Sequence, residues 1–132
     1  MNSKVNTRPL EIKIEREKCE REHLFFTRRF FMPRMGFKFS VNWHHEYIAW
    51  AIDEVIAGRI DNLVINVPPG SGKTELLTNL IARGIARNQR SRFLYLSFSQ
   101  SLVEDVSSTA RNIVKSEDFQ GLWPVKISTS TD

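Results

Sequence analysis

The residues best suited to chemistry lie in Leu63-Val-Ile-Asn-Val-Pro-Pro-Gly-Ser-Gly-Lys-Thr74. A glycine-rich turn ending in Gly-Lys-Thr can wrap its backbone N–H groups around phosphate oxygens, and a helix starting there adds the positive end of its dipole. A lysine at this point reaches the terminal phosphates, and the following hydroxyl binds Mg²⁺. On that reading Pro69, Gly70, Ser71, Gly72, Lys73 and Thr74 contact a nucleotide. Lys73 and Thr74 are the catalytic candidates, and Thr74 is the candidate Mg²⁺ ligand. The spacing G-x-x-x-x-G-K-[ST] asks for a glycine at position 67, where the chain has Val67. The competing reading is an ordinary glycine turn with a solvated lysine.

Two other groups invite a chemical reading. His44 and His45 are adjacent at the start of an apparent helix, where neighbouring side chains diverge by about 100°, so they make poor metal co-ligands. One ring, His45 being the candidate, can instead pack on the adenine base of a nucleotide, or serve an ordinary capping or packing role. Ile52-Asp-Glu-Val55 has the apolar-then-acidic look of a Mg²⁺-orienting strand, but its helical pattern and its place before the loop make Asp53 and Glu54 surface charges.

Positioning a phosphate loop takes a strand before it and a helix after it. Leu63–Val67 is a nearly continuous apolar run with β-branched residues, the pattern of a parallel strand covered on both faces. Leu76, Leu77, Leu80, Ile81 and Ile85 mark the apolar face of the helix that follows, and Arg92–Phe98 reads as a second strand after a right-handed crossover. The expected fold class is therefore α/β, a parallel sheet flanked by helices. Earlier in the chain, Asn42 reads as the N-cap of a helix buried through Ile48, Ala51, Ile52 and Val55, with Gly58 closing it. Later, Ser99 to Ser101 cap a helix striped with Leu102, Val103, Val106, Ala110, Ile113 and Val114. The polar Ser97, Ser99, Gln100 and Ser101 either hold phosphates of a nucleic-acid backbone or simply cap that helix. Ser116 to Pro124 reads as a turn-rich connection.

Composition sets the outer limits. The 132 residues are 41% hydrophobic and 26% charged, the balance of a globular protein with room for one core. No apolar run approaches the roughly 20 residues that span a bilayer, and the N-terminus lacks the apolar centre of a secretory signal, so a cytoplasmic location without membrane contact is expected. A single cysteine, Cys19, excludes an internal disulfide and a multi-cysteine zinc site, and the charges beside it suggest a bystander. Residues 1–40 carry ten Lys/Arg against five Asp/Glu, and residues 41–132 carry nine against ten. The chain thus divides into a basic N-terminal helical segment (1–40) and the nucleotide-loop region (41–132). The basic segment reads as one helix from Leu10 to about Phe31, ended by Pro33–Gly36, and it either faces nucleic acid or is merely solvated. Its cluster Leu24–Phe31 is too apolar for water. Packing on the core beside the loop, or on a missing domain or partner, is favoured over base stacking.

An ATP-hydrolysing site also needs an apolar strand ending in an acidic pair, to orient Mg²⁺ and activate water. After Thr74 the acidic pairs are Glu104-Asp105, inside a helical pattern, and Glu117-Asp118, with no strand before it. Arg83, Arg87 and Arg111 read as solvated helix residues rather than arginine fingers. The chain is expected to bind a nucleoside triphosphate while lacking the parts for efficient hydrolysis, as the front portion of a larger domain truncated before the acidic strand.

Four segments carry a resemblance. Asn42-Trp-His-His-Glu46, Leu63 to Thr74, Phe93-Leu-Tyr-Leu-Ser-Phe-Ser-Gln-Ser-Leu102 and Ser116 to Pro124 resemble, in this order, segments of the large terminase subunits of tailed phages and prophages. The resemblance implies a helicase-like (ASCE) P-loop ATPase using ATP and Mg²⁺, from a motor that packages double-stranded DNA and cuts concatemers. It implies a small terminase subunit and a portal or procapsid as partners, an oligomeric parent and a phage or prophage protein in the host cytoplasm. Gly70, Gly72, Lys73 and Thr74 match the family's Walker A loop, and the segment around His44 and His45 matches its adenine-side motif more loosely. Many terminases carry an arginine inside the loop, where this chain has Pro69 and Gly70. A fragment of another helicase-like translocase, or a non-catalytic remnant serving as a binding module, are the alternatives.

Overall fold

The computed structural model describes residues 7–128. Six helices follow one another: α1 (Arg8–Arg21), α2 (His23–Met35), α3 (Trp43–Ile56), α4 (Lys73–Arg87), α5 (Gln100–Lys115) and α6 (Glu117–Leu122). Among the described residues there is no strand and no sheet. This overturns the expected α/β parallel sheet.

The physical reason lies in the two runs read as strands. A strand needs a neighbour for its N–H and C=O groups, and an isolated pair is marginal even when the two do meet. Leu63–Val67 and Arg92–Phe98 form no ladder with each other or with a third segment. Val64, Leu94, Leu96 and Phe98 face solvent at 83, 84, 79 and 105% exposure, so these runs are covered on one side only. What looked like a two-sided apolar strand is a one-sided strap: Ile65 and Val67 pack against the cluster of Ile48, Ile52 and Leu76 that joins α3 to α4.

The larger core gathers Phe26 and Phe30 of α2, Ala82 and Ala86 of α4, Ile113 and Val114 of α5, and Phe119, Leu122 and Trp123 around α6. The aromatic cluster of residues 24–31 thus packs against the helix that follows the loop, as its composition predicts. Small Ala82 and Ala86 let α2 approach α4, and the rings of Phe26 and Phe30 lie 4.6 Å apart. Residues 116–124, read as a connection, contain a helical turn. Ser116 Oγ accepts from the Phe119 N–H, and the buried Trp123 donates its Nε1–H to Glu20 Oε1 at 2.8 Å. α5 starts where expected, with Ser99 Oγ accepting from the Leu102 N–H. Proline does not end α2, which runs through Pro33 to a left-handed Gly36.

The single helix expected from Leu10 to Phe31 is two helices, broken at an extended Glu22. A break exposes carbonyls at one end and N–H groups at the other, and both need partners. Arg83 of α4 supplies the first set, donating through Nε to Cys19 O at 3.0 Å and through Nη2 to Glu20 O at 2.7 Å. Asp53 of α3 supplies the second, its carboxylate accepting from the His23 N–H at 3.2 Å. The two residues are paired to each other, Arg83 Nη1 to Asp53 Oδ1 at 2.6 Å, with the arginine side chain 1% exposed. Neither residue is the solvated charge that its helical position suggests. Asp53 is no free surface charge, and Arg83 is among the most deeply buried side chains of the molecule.

Cys19 is a core residue, fully buried in the same cluster as Phe26 and Phe30. Burial pushes its thiol up to about 12, with Glu15 adding to the shift and Arg29 and Arg83 opposing it. Since the thiolate is the nucleophile, Cys19 should resist an aromatic disulfide reagent at pH 8 in the native protein and react stoichiometrically in denaturant. Fast labelling of the native chain would contradict this placement.

His23 is also fully buried, and it donates through Nε2 to Leu76 O at 2.7 Å. Burial pushes its imidazole down to about 4, against the pull of that hydrogen bond. The unfolded chain takes up this proton near pH 6.5, and the native protein does so only near 4. The contribution to stability is therefore complete above pH 6.5 and is lost as pH falls toward 4, by about 3 kcal/mol. Urea unfolding between pH 7 and pH 4 should show that decline, and His23→Gln, which keeps a donor for Leu76 but cannot titrate, should flatten it.

Candidate functional site

The loop between Val67 and Lys73 is held from two sides. Ile65 and Val67 anchor its incoming arm on the α3–α4 cluster, and α4 begins directly at Lys73. Gly70 and Gly72 have φ of 78° and 85°, the left-handed region that disfavours any residue with a Cβ. Gly72 has a second constraint: a Cβ there would lie 2.8 Å from His45 Nε2. The glycines of the motif are thus required by backbone conformation, independent of any ligand.

Gly72 is also the N-cap of α4, and it offers no side chain to the amides of the first turn. The first N–H groups of a helix have no partner within it, so those of α4 are available to an anion at the point where the dipole favours one. The acidic residue of this first turn, Glu75, is taken up elsewhere, paired with Arg34 of α2 and accepting from Asn79 Nδ2. Lys73 folds back across the loop, its Nζ 3.4 Å from Val67 O. Thr74 is exposed, and the Ser71 hydroxyl is buried with no hydrogen-bond partner. A triphosphate fits this donor set of a lysine, free helix-terminal amides and an unpaired hydroxyl.

The two histidines sit against the loop. Their rings are 3.9 Å apart, and His44 Nε2 and His45 Nε2 lie 2.8 and 2.6 Å from the same atom, the carbonyl oxygen of Ser71. The argument that adjacent helix residues diverge fails here, because at the first turn of α3 both side chains bend toward a single acceptor. His45 is 7% exposed, with Phe39 packed edge-on at 4.9 Å. Its Nδ1 accepts the Asn42 N–H at 2.9 Å, completing a reciprocal capping box at the start of α3. Among the described residues, no group of three or more His, Cys, Asp or Glu could hold a metal ion.

The structure brings Ser71, Gly72, Lys73 and His45 into one cluster, with Thr74 on the adjoining turn of α4. Pro69 and Gly70 lie exposed at the tip of the loop. Sequence reasoning missed Phe39, which buttresses His45, and Val67 as the acceptor facing Lys73. It also missed the capping box, whose signal is present as Asn42 with His45 three positions on. The serines after the second extended run are engaged with one another, Ser99 N–H with Ser97 Oγ and Ser99 Oγ with Ser101 Oγ, while Gln100 donates to Glu104.

No described helix is long and apolar enough to cross a membrane. No curated protein and no solved structure matches the chain. One family model does, that of the type III restriction enzyme, res subunit, over residues 40–130. The match takes in the capping box, both histidines, the loop and α4, and it leaves α1 and α2 outside. With more than half of its length matched, the chain belongs to the type III restriction enzyme res subunit family, a helicase-like ATPase family.

Proposed function

We propose that the chain binds ATP–Mg²⁺ through the loop from Pro69 to Thr74. The observation that carries this reading is the start of α4, a helix capped by a side-chain-less Gly72 whose first residue is Lys73. A serine at this position would hydrogen-bond one of the first amides, as Ser99 and Ser116 do at the starts of α5 and α6. Here those amides are left for a ligand, and the ligand they suit is anionic. Lys73 supplies the mobile positive charge for the terminal phosphates, and the exposed Thr74 hydroxyl supplies a Mg²⁺ ligand. His45 stands at the loop as its support. Binding, rather than turnover, is the activity assigned to these residues.

Within the helicase-like ATPases, the four segments resembling large terminase subunits favour a DNA-packaging motor as the parent, acting on double-stranded DNA with a small terminase subunit and a procapsid. The test of the binding reading is a titration of fluorescent ATP with Mg²⁺ and again with excess EDTA. Saturable binding that weakens without Mg²⁺ supports it, and no saturation in either condition refutes it. The coding sequence after codon 132 tests the parent: acidic nuclease residues in frame support a terminase, and a second helicase domain contradicts it.

A further inference from the structure

The Ser71 carbonyl is the acceptor of two imidazoles, and this has a consequence for the peptide it belongs to. A carbonyl oxygen only accepts, so each Nε2 facing it carries a proton. For His45 the other nitrogen is occupied as well, because Nδ1 accepts the Asn42 N–H. His45 is therefore the neutral Nε2–H tautomer, held at both ends: one nitrogen belongs to the cap of α3 and the other to the loop. The ring cannot flip without losing both bonds, and Phe39 on its side and a burial of 93% leave little room for other rotamers.

In a planar trans peptide the C=O and the following N–H point in opposite directions. The chain has no cis peptide among the described residues. With the Ser71 C=O drawn toward α3, the N–H of Gly72 points away from α3. Among the described residues it donates to no acceptor. The left-handed φ of Gly72 then carries the chain directly into α4, so this N–H precedes the free amides of the first helical turn.

We infer that His45, supported by His44, is a positioning residue that locks the Ser71–Gly72 peptide with its N–H presented to a bound phosphate. A glycine-rich loop is otherwise free to rotate this peptide, and each rotation would replace a donor with a carbonyl oxygen facing the anion. The cost of that freedom is removed before the ligand arrives, the general route by which preorganisation raises affinity. The inference rests on the nucleotide-binding reading above and adds a residue outside the loop to it.

The side-chain chemistry gives a discriminating set of variants. In His45→Gln the amide oxygen can accept the Asn42 N–H, as a glutamine at this position of a capping box does, and the amide nitrogen can donate to Ser71. His45→Ala loses both bonds. Asn42→Ala weakens the cap, lowering the thermal midpoint, and leaves the Ser71 contacts in place. Binding of Mg–ATP by the full 132-residue chain is measured for all four proteins alongside their thermal midpoints, and the Gly72 amide resonance is followed by ¹⁵N NMR. The expected result is that His45→Gln binds within twofold of wild type. Asn42→Ala should bind near wild type despite a lower midpoint, and His45→Ala at least fivefold more weakly. The Gly72 amide should shift on adding nucleotide in wild type and His45→Gln, and not in His45→Ala. Equal affinity of His45→Ala and wild type overturns the positioning role. Equal weakening of His45→Ala and Asn42→Ala overturns it too, since affinity then merely follows the integrity of α3. If wild type itself fails to bind, the nucleotide reading falls first, and the failure lies there rather than with His45.

Discussion

Replacing Lys73 with alanine should weaken Mg–ATP binding by about ten- to 150-fold and leave the fold intact. The asymmetry follows from what Lys73 touches. Among the described residues its one side-chain hydrogen bond is a long one, 3.4 Å to Val67 O, on a partly exposed surface. Removing it costs little stability, and the helix it begins gains a residue of higher intrinsic propensity. Toward a triphosphate the same ammonium makes charge-assisted hydrogen bonds, worth about 1.5–3 kcal/mol, which sets the expected loss of affinity. Titration calorimetry paired with a thermal melt checks both halves. Unchanged affinity would remove Lys73 from the site. A collapsed melting transition would mean that the lysine supports the loop rather than the ligand.

The second large effect is structural. Arg83→Met should destabilise the protein by about 3–5 kcal/mol, the range for removing one partner of a buried ion pair. Asp53 would be left without its cation, and the carbonyls of Cys19 and Glu20 would lose the donors that satisfy the end of α1. Given a typical total of 5–15 kcal/mol, this is a substantial share. Desolvation depresses the Arg83 guanidinium, and Asp53 is the chief force restoring it. The double variant Arg83→Met with Asp53→Asn should recover part of the loss, because it removes the stranded charge and keeps an amide oxygen to accept from the His23 N–H. Urea denaturation of the two variants measures the difference. Equal stabilities would show that the pair contributes through packing alone.

The same pair explains what could and could not be read from the sequence. The loop, α4, α5 and α3 were legible because their signals are local: a glycine motif, apolar residues at helical spacing, and asparagine or serine at the first position. The aromatic cluster at residues 24–31 was legible as apolar surface, since four phenylalanines in eight residues favour packing over base stacking. The break at Glu22 was not, because its causes, Arg83 and Asp53, lie 61 and 31 residues away. Residues that look like helix-surface charges carry no local mark of the carbonyls and amides they will meet. The sheet failed for the opposite reason. Leu63–Val67 and Arg92–Phe98 have strong local strand character, but a strand is completed only by another strand, and pairing is not written in either segment. The histidines show a third kind of limit. At the first turn of α3 a nearby carbonyl, that of Ser71, outweighs the mean divergence of the two side chains, and nothing in the local spacing marks it.

One calorimetric comparison measures whether the loop recognises phosphates. The wild-type chain is titrated in the same Mg²⁺ buffer with ATP and with AMP, which share the base and the sugar and differ in the phosphates that Lys73 and Thr74 would hold. Recognition of phosphates by the loop predicts saturable binding of ATP at least tenfold tighter than that of AMP. Equal affinities, or no binding of ATP, would contradict it.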